Sequence, residues 1–413
     1  MSERWLRLLF VAGLMGVFLR APALTLVVSV MLALVALSLL LRTLAFRKVS
    51  YTRRLSETRG FVGETLRITT RTENASVLPI FSLTIQDDSP RHFDEVEPGS
   101  EALAGSELDA TIRNDRGERA DMQQLVALRP RAINTNTFDL RSHRRGYFNF
   151  PTPVLRAVDL VGLGEQERAE PQPNHNSILI YPRLYDLGAL MLPERQPMGA
   201  LISLRRLIED PVRNMGARDY APGDSFRQIH WPATAHRGTL QTRINEHTAD
   251  PVTMVLLNVT TFEDDWIGVD VERFEWTVSV AGSLAQWAHE SGATIGLCSN
   301  GATPGLPEAL RVKARRSPDQ LARVLESLAT LIAFTGTRYE EFVLNEQRNV
   351  PFGSSLILVT GLMTPRIAIA VHRLYELGKR MVLICCDRVA PDLTGLPCSA
   401  LHMPPPVTTG VVA

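Results

Sequence analysis

The chain has 413 residues, with 44 basic and 44 acidic side chains, 45% apolar residues and 21% charged residues. That neutral balance excludes a broadly basic nucleic-acid binder, and the ordinary apolar fraction excludes wholesale disorder, so the length points to two or three domains with their own cores. The four cysteines, Cys298, Cys385, Cys386 and Cys398, all fall in the last third without CxxC or Cys/His spacing, which excludes a disulfide framework or structural zinc and implies a reducing compartment.

The first element is apolar. Residues 22–41 carry no charge and are dominated by Leu, Val and Ala, enough for a helix of about 30 Å. The preceding run, Leu8 to Leu19, is shorter, but Arg7 and Arg20 can snorkel and extend it. Residues 1–45 therefore read as a transmembrane helical hairpin turning near Arg20 and Pro22. A cleaved signal peptide with Arg4 and Arg7 as its basic end is the rival reading, and the second run would still anchor the chain. Arg42, Arg47, Lys48, Arg53 and Arg54 follow that run with no acid among residues 42–54, which places this end in the cytoplasm. Arg4 and Arg7 put the N-terminus on the same side. The expected location is thus the cell (inner) membrane, multi-pass, with cytoplasmic soluble domains and the bilayer as a partner; the basic cluster could also touch anionic lipid headgroups.

Residues 46–170 show short alternating runs such as Thr65-Leu66-Arg67-Ile68-Thr69 and Phe81-Ser82-Leu83-Thr84-Ile85, broken by turn residues. Period two with frequent turns predicts an antiparallel, Ig-like β-sandwich. The acidic stretch from Asp94 to Asp121 reads as a surface excursion or edge strands. After a connecting segment, 171–250, the pattern changes. Runs at Val252–Leu257, Ala293–Cys298, Ser355–Thr360 and Arg380–Cys385 have the character of strands buried on both faces. Between them lie helical stripes: Phe274, Val278, Ala281, Ala285 and Ala288; Leu321, Val324 and Leu328 after Asp319; and Ile367, Val371 and Leu374. Residues 251–390 therefore predict an α/β doubly wound domain, followed by a Pro-rich tail, 391–413, lying on the surface or disordered.

The most distinctive segment joins these domains: Arg218, Tyr220, Gly223, Asp224, Arg227, Ile229 and Trp231, then Ala235, Arg237 and Leu240. Pro222-Gly223 favours a type II turn that frees Asp224 to cap a helical turn. Arg218 or Arg227 is expected to pair with Asp224, while Ile229 and Trp231 bury against the sheet. These seven positions resemble the hallmark R-x-Y-x-x-G-D-x-x-R-x-I-x-W of the bacterial family named domain of unknown function 58. Arg145-Gly146-Tyr147, Asp159 with Gly162-Leu163, and Tyr181-Pro182 are similar to further motifs of that family; His236 departs from its usual Arg. The resemblance implies a membrane-anchored protein with a sandwich and a von Willebrand factor A-like domain, working with a MoxR-family AAA+ ATPase.

In a metal-bearing A domain, D-x-S-x-S ends the first strand. Here those positions read Asn258, Thr260 and Phe262, and the later strand ends in Thr360-Gly361 where an Asp is expected. A hard cation needs carboxylate oxygens, so no metal and no cofactor are expected, with Glu263, Asp264 and Asp265 as the nearby carboxylates. Asn258, Thr260, Glu263, Asp264 and Asp265 instead become candidate partner-binding residues at the sheet's C-terminal edge. The leading reading is a non-catalytic interaction or scaffold protein that binds no nucleic acid. A metal-dependent binding module through a degenerate site is the alternative. A hydrolase using Asp224 and His230 with Ser225 or Thr234 comes third, since no G-x-S-x-G or P-loop occurs. Arg141, His143, Arg144 and Arg145 read as a hydrated strand edge, Trp276 and Trp287 as core, and Cys385-Cys386 as a strand-end pair.

Overall fold

The computed structural model of the chain describes residues 10–15, 18–95, 122–158, 165–171, 177–187, 214–221, 229–245, 252–263, 267–306, 308–351 and 353–406. It forms two compact units, divided between Ile180 and Tyr181.

The first unit opens with a helical stretch over residues 10–15 and then helix α1 (Pro22–Phe46). Arg20, at φ 50°, breaks the chain between them, and Pro22 starts α1 where its missing N–H costs nothing. A Cβ on Gly13 would stand 3.3 Å from Val28, so the two helical stretches approach closely there. Val28, Val35 and Ser38 form a buried seam on α1, while Leu26, Val27, Val30, Leu34, Leu37 and Leu40 are exposed. The stretch Thr25–Phe46 is long and apolar enough to cross a membrane.

The β strands of this unit are β1 (Val49–Leu55), β2 (Arg59–Phe61), β3 (Thr65–Asn74), β4 (Ile80–Gln86), β5 (Phe93–Glu95), β6 (Gln124–Leu128), β7 (Ile133–Ser142), β8 (Gly146–Asn149), β9 (Val154–Val158), β10 (Glu165–Ala169) and β11 (Ser177–Tyr181). They form antiparallel sheets ordered β1-β3-β7-β5 and β10-β9-β4-β6, with a third, β2-β11-β8. Burial alternates along β3, as period two requires. Val49 and Tyr51 from one sheet share a core with Leu83, Ile85, Leu155 and Ala157 from the other. Strand β11 lies in the stretch read from sequence as a connector. Of the acidic excursion, residues 96–121 lie outside the described residues, as do Asp159, Gly162 and Leu163.

The end of α1 belongs to this core. Ala45 and Phe46 are each 1% exposed, and Arg168 of β10 donates to the carbonyls of Val49 at 2.5 Å and Phe46 at 3.4 Å, with its guanidinium 5.0 Å from the Phe46 ring. A cation at the carbonyl end of a helix also complements its dipole.

Arg53, one of the basic residues counted after the apolar run, is fully buried against Asp87, beneath the Phe150 ring at 4.6 Å. Tyr51 donates to the second oxygen of Asp87 at 2.5 Å. Alternation on β1 points residues 51 and 53 inward, and a buried cation must be paired. Burial raises the Asp87 carboxyl and lowers the Arg53 guanidinium from their ordinary values, with mutual attraction opposing both shifts. The pair is thus weak evidence for net stability, but breaking it strands a charge.

The second unit contains β12 (Asn214–Asp219), β13 (Gln241–Asn245) and the short helix α2 (Trp231–Arg237), followed by a larger sheet. Its strands are β14 (Val252–Leu257), β15 (Thr294–Ser299), β17 (Leu310–Arg315), β19 (Ser355–Thr360), β20 (Arg380–Cys385) and β21 (Ser399–His402), in the order β17-β15-β14-β19-β20-β21. The small pair β16 (Gly301–Ala302) and β18 (Ile332–Thr335) stands apart. All neighbours in the large sheet are parallel except β15 and β17. Successive residues of β14 face opposite ways. Val255 and Leu257 pack with α3 (Val271–Glu290) and α4 (Gln320–Thr330), whereas Met254 and Leu256 pack with α5 (Tyr339–Glu346) and α6 (Pro365–Glu376). Helices therefore cover both faces, which is why the central strands read as continuous apolar runs. The expected surface or disordered tail is corrected in part: residues 399–402 are the sixth strand, with Leu401 at 1% exposure, and Met403 accepts from the Trp276 indole at 2.8 Å.

Asp87→Ala should destabilise the full chain in detergent by about 3–5 kcal/mol. Loss of the exposed Arg67–Asp139 pair through Arg67→Ala should shift the denaturation midpoint far less. Equal shifts for the two variants would show that the Arg53 network is not a special constraint.

Candidate functional site

The connection from β14 to β15 runs through α3 on one face of the sheet, and that from β19 to β20 runs through α6 on the other. The chain therefore switches direction between the neighbours β14 and β19, and open α/β sheets form a crevice at such a point.

Asn258 continues β14 past its end, donating its backbone N–H to Val359 at 2.8 Å. Its side-chain nitrogen donates to Thr360 Oγ1 at 2.9 Å, and its oxygen accepts from the Thr260 N–H at 2.9 Å and from Asn300 Nδ2 at 3.3 Å. Asn300 Oδ1 accepts from the Val259 N–H at 3.0 Å, and Thr360 donates to the Leu362 carbonyl at 2.7 Å. Asn258, Asn300 and Thr360 are at most 3% exposed. The result is a satisfied, uncharged network joining the ends of β14, β15 and β19, and a lone carboxylate substituted into it would be costly to bury.

In front of Asn258 and Thr260 lies a small, open cleft of about 40 Å³. Phe262 and Glu263 form one side, Arg338, Tyr339 and Glu340 at the start of α5 another, and Leu362, Thr364, Arg366 and Ile367 at the start of α6 the third. Thr364 caps α6 by accepting from the Ile367 N–H at 3.3 Å. Tyr339 is buried, its hydroxyl donating to the Leu256 carbonyl at 2.6 Å, and burial pushes the phenol well above its ordinary value. Arg338 is exposed, and Arg366 lies 3.9 Å from Glu340.

The structure thus brings Asn258, Thr260 and Glu263 to one cleft, while Asp264 and Asp265 lie outside the described residues. Among the described residues, no group of three or more His, Cys, Asp or Glu side chains is placed so that it could hold a metal ion. At Gly361 an added Cβ would stand 2.8 Å from Arg273 Cγ and 2.9 Å from Thr277 Oγ1, so that position has no room for a side chain. Sequence reasoning missed Asn300 and Arg273. Asn300 stands just beyond a recognised strand run, but the turn that aims Arg273 at Gly361 leaves no local signature.

The hallmark segment is only partly described. Gly223, Asp224, Ser225 and Arg227 lie outside the described residues, and with them the expected Asp224 ion pair. Arg218 donates to the Asp219 carbonyl at 3.2 Å, and Ile229 is 2% exposed, bridging to Thr242. Trp231 corrects an expectation: it is 65% exposed, because α2 contributes no buried residue. Polar bonds hold this element. Gln241 Nε2 donates to Asp219 at 2.5 Å, and the Gln241 N–H donates to Thr234 Oγ1 at 3.0 Å. His230 caps α2, its Nδ1 accepting from the Ala233 N–H at 3.1 Å.

Elsewhere, His143 meets Asp94 at 2.8 Å and Arg145 is buried, so the basic run is not uniformly a hydrated edge. Trp276 is 5% exposed and Trp287 packs against the same core. All four cysteines are free, and burial raises their thiols, Cys298 to about 12 and both Cys385 and Cys398 to about 11. They stay protonated at neutral pH and are poor nucleophiles.

Residues 216–338 match the family described as Protein of unknown function DUF58. The match covers the hallmark segment and the first part of the larger sheet, and it supports the family resemblance. Among curated proteins, none matches the chain. Solved structures give distant likenesses. Native alpha-2-macroglobulin from Escherichia coli, from domain MG7 to its C-terminus, is 13% identical over 33% of this chain and 24% of that one, with a TM-score of 0.24. The sporulation control protein Spo0M from Bacillus subtilis is 10% identical over 41% of this chain and 58% of that one, at 0.18. The CARDB domain of a Pyrococcus furiosus protein, in complex with di-metal ions, is 10% identical over 32% of this chain and 91% of that one, also at 0.18. The chain spans about a quarter of the alpha-2-macroglobulin fragment's length. At such scores these likenesses assign neither fold nor function.

Calorimetry on the full chain in detergent should give no saturable heat with Mg²⁺ or Mn²⁺. Gly361→Ala, forced against Arg273, should cost about 1–3 kcal/mol by thermal melting. Micromolar metal binding by the wild type that disappears in Thr260→Ala would overturn the uncharged reading of this surface.

Proposed function

We propose that this chain is a non-catalytic, membrane-tethered interaction protein that docks a protein partner in the cleft between the ends of β14 and β19. The observation that carries this reading is the cleft itself. It sits where the sheet changes winding direction, its floor is a satisfied neutral network, and its rim offers exposed arginines and an aromatic ring. Such a surface suits protein contact, where aromatic and Arg anchors dominate binding energy. The partner we infer is a MoxR-family AAA+ ATPase, on the strength of the family resemblance. The paired sheets of the first unit are read as an Ig-like sandwich, and the second unit as a von Willebrand A-like domain without its metal ligands.

The membrane arrangement belongs to the same proposal. The contact of Gly13 with Val28 and the buried seam of α1 support a helical hairpin, and the excess of basic residues after Leu41 supports a cytoplasmic position for both soluble units. A reporter fused after Ala413 should be active only in its cytoplasmic form; activity of a periplasm-specific reporter there would exclude the hairpin.

For docking, purified MoxR-family ATPase from the same cell should co-purify with the full chain in nanodiscs in an ATP-dependent way. Reversing the rim charges with Arg338→Glu and Arg366→Glu should abolish that binding without lowering the melting temperature. Undiminished binding by this folded variant would remove the cleft as the docking surface.

A further inference from the structure

Three chain segments converge on one side chain behind the cleft. Arg273 lies in the first turn of α3 and is 16% exposed. Its Nη1 donates to the carbonyl of Thr261, in the loop after β14, at 2.7 Å. Its Nη2 stands 3.2 Å from Asp387 Oδ1, in the segment after β20, and its Nε lies 3.7 Å from Asp270 Oδ2. The stem runs over Gly361, after β19, so closely that a Cβ there would fall 2.8 Å from Cγ and 3.1 Å from Cδ. Asp270 is itself fixed, capping α3 through the Arg273 N–H at 3.1 Å while its own N–H donates to Thr261 Oγ1 at 2.9 Å.

We propose that Arg273 is the resident cation of this strand-end surface, its guanidinium tying the segments after β14 and β20 as a bound metal ion would, and its stem packing over the segment after β19. A carbonyl and a carboxylate from the connection between β14 and α3, with a second carboxylate from the segment after β20, are oxygen groups of the kind a hard cation gathers. A guanidinium meets the same set with a permanent charge and a planar fork of donors, and no chelator removes it. Gly361 follows from this arrangement, since any side chain would displace the stem. So does the neutrality of the Asn258 network: the positive charge of the edge is supplied from behind by a covalently attached group. The inference goes beyond partner docking and does not depend on it.

The test is amide hydrogen exchange on the full chain in detergent. In Arg273→Ala, exchange in residues 258–263, 361–364 and 386–388 should rise together by roughly tenfold, because one tie is lost from three loops. Guanidinium ion, well below denaturing concentration, should restore protection in residues 258–263 and 386–388 of this variant, where the charged group is lost, and not in 361–364, which the stem covers; equimolar urea or sodium should restore none. Mg²⁺ should change nothing in the wild type. Arg273→Lys provides a second variant should the alanine chain not fold. It keeps the charge and the stem over Gly361, so it should fold and lose protection at either the Thr261 or the Asp387 segment, since one ammonium cannot reach both. Loss confined to α3, failure of guanidinium to restore the folded alanine variant, full protection in Arg273→Lys, or protection of the wild type by Mg²⁺ would each overturn the proposal.

Discussion

Asn258 leaves the central strand of the larger sheet with its side chain cut off from solvent, so every polar atom on it must find a partner within the protein. It does so by reaching across to Thr360 on one neighbour and Asn300 on the other. That requirement shapes the surface above it. Because the amide both donates and accepts, it satisfies Thr360 and the Thr260 N–H at once while the Thr360 hydroxyl donates to the Leu362 carbonyl; a carboxylate could bond Thr360 only by taking that proton from Leu362. The cleft floor is therefore neutral, and charge appears only at the rim and behind.

The two units handle buried charge differently. In the first, Arg53 and Asp87 are both removed from water, and Tyr51, Phe150 and the Pro151 carbonyl complete their surroundings. The pair serves one place in the core. In the second, Arg273 stays slightly open to solvent and spends its terminal nitrogens on two loops. Desolvation is smaller there and the number of segments tied is larger, which suits a surface more than an interior.

Much of the second unit was legible because parallel strands covered on both faces become unbroken apolar runs; Val252–Leu257 and Ser355–Thr360 are such strands at the expected residues. Edge strands were not legible. β17 alternates charge with apolar residues and resembles surface, while β21 has four residues inside a Pro-rich stretch and exists only because β20 offers an open edge. The same limit explains Arg53: its charge was visible, but its partner lies 34 residues away on another strand pairing. At the candidate site, Asn258 and Thr360 could be read from their places at strand ends. Trp231 could not, since an indole beside Ile229 looks like core until the short helix turns it outward.

The last turn of α1 has a mechanical meaning. Ala45 and Phe46 are packed among β-strand side chains, and Arg168 grips the carbonyls of Phe46 and Val49 across that joint. There is no slack linker between the apolar helix and the β unit. A rotation or tilt imposed on the helix must be inherited by the sheets it enters, as a key turns the plate to which it is welded. A flexible tether would let the β unit tumble; this junction makes it a lever, with torque carried through one phenylalanine ring and one arginine.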